Sequence, residues 1–243
     1  MKRRIIDLSM TVGPDMQTFP RVARPIIAQV ESHSEFADNI GALKYGVDWL
    51  TAHCVIVQGD HIGTHMDTLR HMRDDAPGAE GIPLDYCFGD GVRLDFRHKE
   101  PGSIISAEDI EKAEKDMEYQ IKERDIVLIW TGAGEFNQED RYQKDFCGMS
   151  AEATIYLIEK GVKVMGCDAP TFDPPVWSMF EKQKFWEAHR VMLTHEYYHL
   201  ENMQNFEQLP GATGFLLSVL PVKWEKSTGA AVRAVAIVES NHQ

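Results

Sequence analysis

Short apolar runs, each closed by a polar or glycine-bearing stretch, set the rhythm of this chain. Residues 4–9 and 26–32 read as strands, and 53–58 form a β-branched run that stops at Gly59. Residues 92–96 alternate apolar and polar side chains, the period of a half-buried strand. The run 125–130 is apolar after its first residue, a buried strand that gives way to Thr131-Gly132-Ala133-Gly134. Helical signals are fewer. Ser106, followed by Glu108 and Asp109, opens a helix predicted over 106–120, and Ser150 caps another over 151–160 that Gly161 stops. Residues 162–165 re-enter a sheet, and 214–220 and 231–238 supply the last strands. No repeat, linker or low-complexity tract interrupts this order. The pattern predicts an α/β fold, one mixed-sheet domain over 1–243 rather than a strictly alternating barrel.

Composition changes that picture little. A hydrophobic content of 43% and a charged content of 26% are ordinary for a globular chain, and 243 residues suffice for a sizeable core. The net charge of -13 argues against a nucleic-acid partner, whose phosphates call for a basic face. No apolar run reaches membrane-spanning length. The basic start Lys2-Arg3-Arg4 meets Asp7 before any long apolar stretch, so no signal peptide or membrane partner is expected and a cytoplasmic location is. Cys54, Cys87, Cys147 and Cys167 are scattered without a CxxC pair, which favours plain thiols over a zinc knuckle or a disulfide framework.

The chemistry concentrates in His61-Ile62-Gly63-Thr64-His65-Met66-Asp67-Thr68-Leu69-Arg70-His71, three imidazoles and a carboxylate in eleven residues. Imidazole nitrogen and carboxylate oxygen are the usual ligands of first-row divalent metals. Gly63 permits a tight backbone path, so a folded loop is expected to turn His61, His65 and Asp67 toward one point. Three ligands leave a cation open, and residues 186–202 hold the densest downstream supply: His189, His195, Glu196, His199 and Glu201. Local pattern does not choose among them. His195-Glu196-x-x-His199 imitates a zincin motif, which counts only on a helix, and Thr194, Tyr197 and Tyr198 are mediocre helix formers. Trp49, Trp130, Phe172, Trp177 and Phe180 could wall a planar pocket or simply fill core. Arg70 and Arg73 flank the metal loop, where they could meet a substrate carboxylate or stay solvated.

The eleven-residue motif resembles the HxGTHxDxPxH signature of the cyclase-like metal-dependent hydrolases, a family that includes bacterial kynurenine formamidases and isatin hydrolases. Asp7-Leu8-Ser9 is similar to its opening strand, Gly166-Cys167-Asp168 with Asp173-Pro174 to its central motif, and 229–236 to its closing strand. The resemblance implies the swivelling β/β/α fold of that family and a site of one or two divalent ions, zinc or manganese. His61, His65 and Asp67 would bind the first ion, and His189 and Glu201 would complete the site. His71 would be the acid/base residue, with a fourth ligand or a solvated histidine as its other readings. Thr64 would support the loop, and Asp168 would orient a ligand histidine or else cap its strand end. The implied reaction on a small-molecule substrate is hydrolysis of a cyclic amide or imide, or of an aryl formamide. A lactone hydrolase, a ring-forming cyclase and a non-catalytic binding protein are the rivals. A homo-oligomer, dimer or tetramer, is implied as well. Leu69 stands where the signature has Pro, which bears on the pocket rather than on any ligand.

Overall fold

In a computed structural model the described residues are 2–240, so Met1 and the last three positions of the expected domain lie outside them. Chain order gives β1 (Lys2–Asp7), β2 (Ile26–Glu31), α1 (His33–Asn39), β3 (His53–Val57), β4 (His65–Asp67), β5 (Phe88–Asp95) and β6 (Ile104–Ile105). There follow α2 (Ala107–Asp116), β7 (Ile126–Trp130), β8 (Gly148–Met149), α3 (Ala151–Glu159), β9 (Val164–Cys167), α4 (Val176–Lys182) and α5 (Glu187–Arg190). The chain closes with β10 (Tyr198–Glu201), β11 (Phe215–Ser218), β12 (Gly229–Ala231) and β13 (Val235–Ser240).

Nine strands form one mixed sheet in the order β1-β13-β11-β5-β7-β9-β10-β4-β12. Its centre, β5 to β10, runs parallel, and both flanks are antiparallel. β7 and β9 are buried along their whole length, as expected of strands covered on both faces. α2 and α3 pack together beside them, each started by a serine whose hydroxyl accepts a backbone N–H of the first turn. α2 ends at Asp116, short of the predicted 120. Glu118 there turns left-handed (φ 51), and the buried Glu114 carboxylate accepts the Ile121 N–H, drawing the chain back toward β7.

Two expectations need revision. The strands at 26–32 and 53–58 exist, but among the described residues they pair only with each other, as a ribbon apart from the main sheet. Eleven large hydrophobic side chains between Ile26 and Val57 are exposed, Trp49 to 66% and Tyr45 to 78%. The ligand motif, in turn, is only partly a loop: His65–Asp67 is the strand β4, second from one edge of the sheet. Its three residues escape pattern reading because a strand this short shows no hydrophobic period.

Candidate metal centre

Strand geometry assembles most of the site. Side chains alternate across a strand, so His65 and Asp67 share one face of β4 while Met66 points into the core. The same spacing recurs in β10, where His199 and Glu201 share a face and Leu200 is buried opposite. β10 and β4 pair antiparallel with His199 against Asp67 and Glu201 against His65, so four ligand types become cross-strand neighbours. His61 comes from the preceding turn. That turn needs Gly63 (φ 65), since a Cβ there would sit 2.5 Å from the Val12 side chain. On the far side of β4, Gly229 faces Asp67 and leaves the space in which the His61 ring lies.

Each of the two carboxylates turns one oxygen to each half of the cluster. Asp67 Oδ1 lies 2.9 Å from His61 Nδ1 and 3.1 Å from His65 Nε2, and Glu201 Oε2 lies 3.6 Å from His65 Nε2. Asp67 Oδ2 lies 3.4 Å from His189 Nε2 and 3.3 Å from His199 Nε2, and Glu201 Oε1 lies 3.4 Å from both. Asp67, His189, His199 and Glu201 offer ligand atoms within 4.8 Å of one another, as do His61, Asp67 and His71. Both Asp67 oxygens and the Nε2 atoms of His65 and His199 are buried without a hydrogen-bond partner. Orphaned buried polar atoms cost roughly 1–3 kcal/mol each, and a cation among them removes that cost. This donor set fits a divalent metal ion.

Neighbouring groups fix the rings. His65 Nδ1 donates to Gly63 O (2.8 Å), leaving Nε2 free for a ligand. His189 Nδ1 donates to Asp173 Oδ2 (2.6 Å), and the same carboxylate accepts the Ala188 and His189 backbone N–H groups at the start of α5. Thr228 gives its hydroxyl proton to Asp60 (2.8 Å), so it accepts from His61 Nε2 (2.9 Å), which points Nδ1 at Asp67. Glu201 Oε1 accepts the Phe172 N–H at 2.9 Å, and the Phe172 ring stacks on His199. Burial works against charge on His61, but Asp67 foremost and then Asp60 and Glu201 outweigh it and hold that imidazole up at about 9. Burial also opposes ionisation of Asp67, yet the surrounding imidazoles hold its carboxyl well below the usual range.

His71 follows the ligand strand on a single 3-10 turn, a third exposed, with Nε2 3.7 Å from Asp67 Oδ2. Burial lowers its pKa; Asp67 pulls the other way, while His61 and His189 add to the depression. Thr64 is buried, its hydroxyl accepting Met10 N–H (2.7 Å) and donating to Asn202 O (2.6 Å), so it ties the motif to two neighbouring segments. Asp168 orients no ligand histidine. Its oxygens accept from Thr131 N and Oγ1, Gly132 N and Gly134 N, capping the turn after β7, and burial pushes its carboxyl up to about 6 against those four donors. The carboxylate that orients a ligand histidine from outside the cluster is Asp173. His199 was likewise left unselected by the pattern, although His-x-Asp at 65–67 and His-x-Glu at 199–201 repeat one spacing. His199 stands on a strand rather than a helix, which removes the zincin geometry.

The cluster opens into a cavity of about 530 Å³ whose floor includes His61, Asp67, His71, His189 and Glu201. Its apolar walls include Phe19, Phe185 and Trp186. None of the five aromatic residues considered from sequence lines it: Trp130 and Phe172 are core, and Trp49, Trp177 and Phe180 are exposed. Trp186 is held left-handed (φ 49), a conformation that costs a bulky residue about 1–3 kcal/mol and clusters at functional sites.

A kynurenine formamidase of Erythrobacter litoralis (strain HTCC2594) is 26% identical over 237 residues, 96% of this chain and 94% of that one. An isatin hydrolase bound to the product analogue thioisatinate has the same fold, with a TM-score of 0.82 at 19% identity over 98% of this chain and 93% of that one. Isatin hydrolase A from Labrenzia aggregata, bound to benzyl benzoate, gives 0.81 at 24% identity over 97% and 94%. At these identities the two structures speak for the fold alone. Residues 6–174, well over half of the sequence, match the family model described as putative cyclase, and the chain belongs to that family.

Proposed function

We propose that this chain is a metal-dependent hydrolase of carbon–nitrogen bonds outside peptides, opening a cyclic amide or imide or cleaving an aryl formamide. One observation carries the reading: two buried carboxylates shared between two sets of imidazoles, at the floor of an apolar cavity with His71 beside them. The kynurenine formamidase and isatin hydrolase names borne by its relatives and structural neighbours support it. One or two zinc or manganese ions, held by His61, His65, Asp67, His189, His199 and Glu201, would supply Lewis acidity toward a carbonyl and acidify water there. His71 is neutral at pH 7 because its pKa is lowered, so it accepts a proton from water as the carbonyl is attacked. The same nitrogen returns that proton to the departing amide nitrogen. Phe19, Phe185 and Trp186 hold the planar part of the substrate and exclude bulk water.

The test is a screen of formamides, imides, isatin, lactams and lactones with added Zn²⁺ or Mn²⁺, run in ¹⁸O-labelled water. Label in the ring-opened or deformylated acid supports hydrolysis; unlabelled product, or a lactone accepted where every amide is refused, removes the amide reading.

We also propose a homo-oligomer, dimer or tetramer. The β2–β3 ribbon supports it, because an isolated two-stranded ribbon is marginal in water. The eleven exposed apolar side chains between Ile26 and Val57 lie on and around it, a concentration that a monomer's surface rarely carries. Among the described residues no helix is long and apolar enough to cross a membrane, and the four cysteines are free, which suits the cytoplasm.

A further inference from the structure

The segment Phe185-Trp186-Glu187-Ala188-His189-Arg190 delivers more to the cavity than its metal ligand. His189 reaches the floor, Phe185 and Trp186 form a wall, and Arg190 lines the same space. Its geometry is tightly fixed: Asp173 accepts the Ala188 and His189 N–H groups, Arg190 N donates to Trp186 O, and Tyr197 Oη donates to Ala188 O. Trp186, left-handed just before this short helix, and Arg190 at its end both line the cavity.

Among the described residues Arg190 is the one lysine or arginine lining the cavity, and its guanidinium has no carboxylate partner and donates no side-chain hydrogen bond. Partners are not scarce in a chain with 38 carboxylates against 25 lysines and arginines. Arg70, the nearer candidate in sequence to the motif, is spent on the carbonyls of Asp74 and Ala76. The cavity's own carboxylates, Asp67 and Glu201, face the imidazoles. A second observation points the same way. Thr171 Oγ1, on a residue 3% exposed that lines this cavity, also lacks a partner, so the cavity holds one buried unused donor beside the exposed guanidinium at its rim.

We propose that Arg190 and Trp186 form a recognition subsite for an anionic aryl group, so that the preferred substrate is an aryl amide or imide carrying a carboxylate on its planar part. The inference rests on the amide-hydrolase reading of the metal centre. A guanidinium matches a carboxylate with two parallel hydrogen bonds, and an indole face takes an aromatic ring. Thr171 supplies a neutral donor to an acceptor atom of the same ligand.

The test compares 2-formamidobenzoate with formanilide, which differ only by the carboxylate, on the metal-loaded wild type, Arg190→Gln and Arg190→Lys. The wild type is expected to favour 2-formamidobenzoate by about tenfold in kcat/KM, the scale of one charge-assisted pair. The ratio is expected to fall to near one in Arg190→Gln, to be partly kept in Arg190→Lys, and to shrink with added salt. A wild type that prefers formanilide or treats both alike overturns the proposal, as does a ratio that survives in Arg190→Gln. If neither amide is hydrolysed, the amide-hydrolase reading fails by itself and binding decides the subsite. Benzoate should then bind the wild type about tenfold more tightly than benzamide and lose that margin in Arg190→Gln. A margin that is absent, or that persists in Arg190→Gln, places the carboxylate elsewhere and overturns the proposal.

Discussion

Gly229→Ala tests the packing that holds His61. A Cβ at this position would lie 2.9 Å from His61 Cε1, 3.1 Å from His61 Nδ1 and 3.0 Å from the Asp60 carbonyl. Carbon contacts settle at about 3.5–4.0 Å, so something must give by roughly 0.5–1 Å. The Asp60 backbone is poorly placed to retreat, because its side chain is tied to Thr228 N, Thr228 Oγ1 and Gly229 N. The ring therefore moves, taking Nδ1 from its 2.9 Å approach to Asp67 Oδ1. Overpacking of this kind costs about 1–3 kcal/mol, and a cation served by His61 should weaken by about a hundredfold, near 2.7 kcal/mol. Chelator-competition titration with Zn²⁺ reads that affinity directly, and thermal denaturation reads the strain. Gly211→Ala is the control, since the nearest atom to its Cβ is 3.6 Å away. Wild-type affinity in Gly229→Ala, with the fold intact, would refute the argument.

The same geometry sets further outcomes. Asp173→Asn puts an amide donor against the His189 Nδ1–H or leaves that N–H with a weaker acceptor, so metal affinity should fall about 10- to 100-fold while circular dichroism stays native. His71→Ala should keep its metal content and lose about 10²- to 10⁴-fold in kcat on whichever amide the screen finds. A base works only when unprotonated, and the His71 pKa is depressed, so wild-type kcat/KM should fall as pH drops through a midpoint below 6.5, a limb that His71→Ala should lack. Leu69→Pro should fold and change unfolding free energy in urea by no more than about 1 kcal/mol. Residue 69 opens a 3-10 turn after an extended Thr68 (φ -95, ψ 162), where proline's fixed φ fits and offsets the smaller buried side chain. Ile27→Asp with Ile56→Asp places charges at paired positions of the β2–β3 ribbon, so light-scattering mass should drop toward the monomer's 27.6 kDa.

Long apolar runs were easy to read. Residues 125–130 and 162–165 became β7 and β9, and both serine-capped helices begin where their caps stand. The two-residue strands β6 and β8 and the three-residue β4 and β12 left no periodic trace, since pairing partners far away in sequence make them strands. That loss hid the logic of the site. Composition reveals the imidazoles and carboxylates, but only the register of β4 against β10 shows that His199 stands opposite Asp67. Asp173 was legible only as part of a motif, because its work is done through a helix start sixteen residues on. The cavity wall is hidden from the pattern for a related reason: Trp186 faces the site by adopting a backbone conformation that no propensity favours.

The cross-strand square of His65, Asp67, His199 and Glu201 makes cation binding a check on folding itself. Sliding β4 by a single position would present Met66 to the cavity and drive ligands into oil, abolishing affinity at a stroke. Only a chain whose β4 and β10 have met in the correct frame, across more than a hundred residues, can be loaded, so the ion selects finished molecules from unfinished ones.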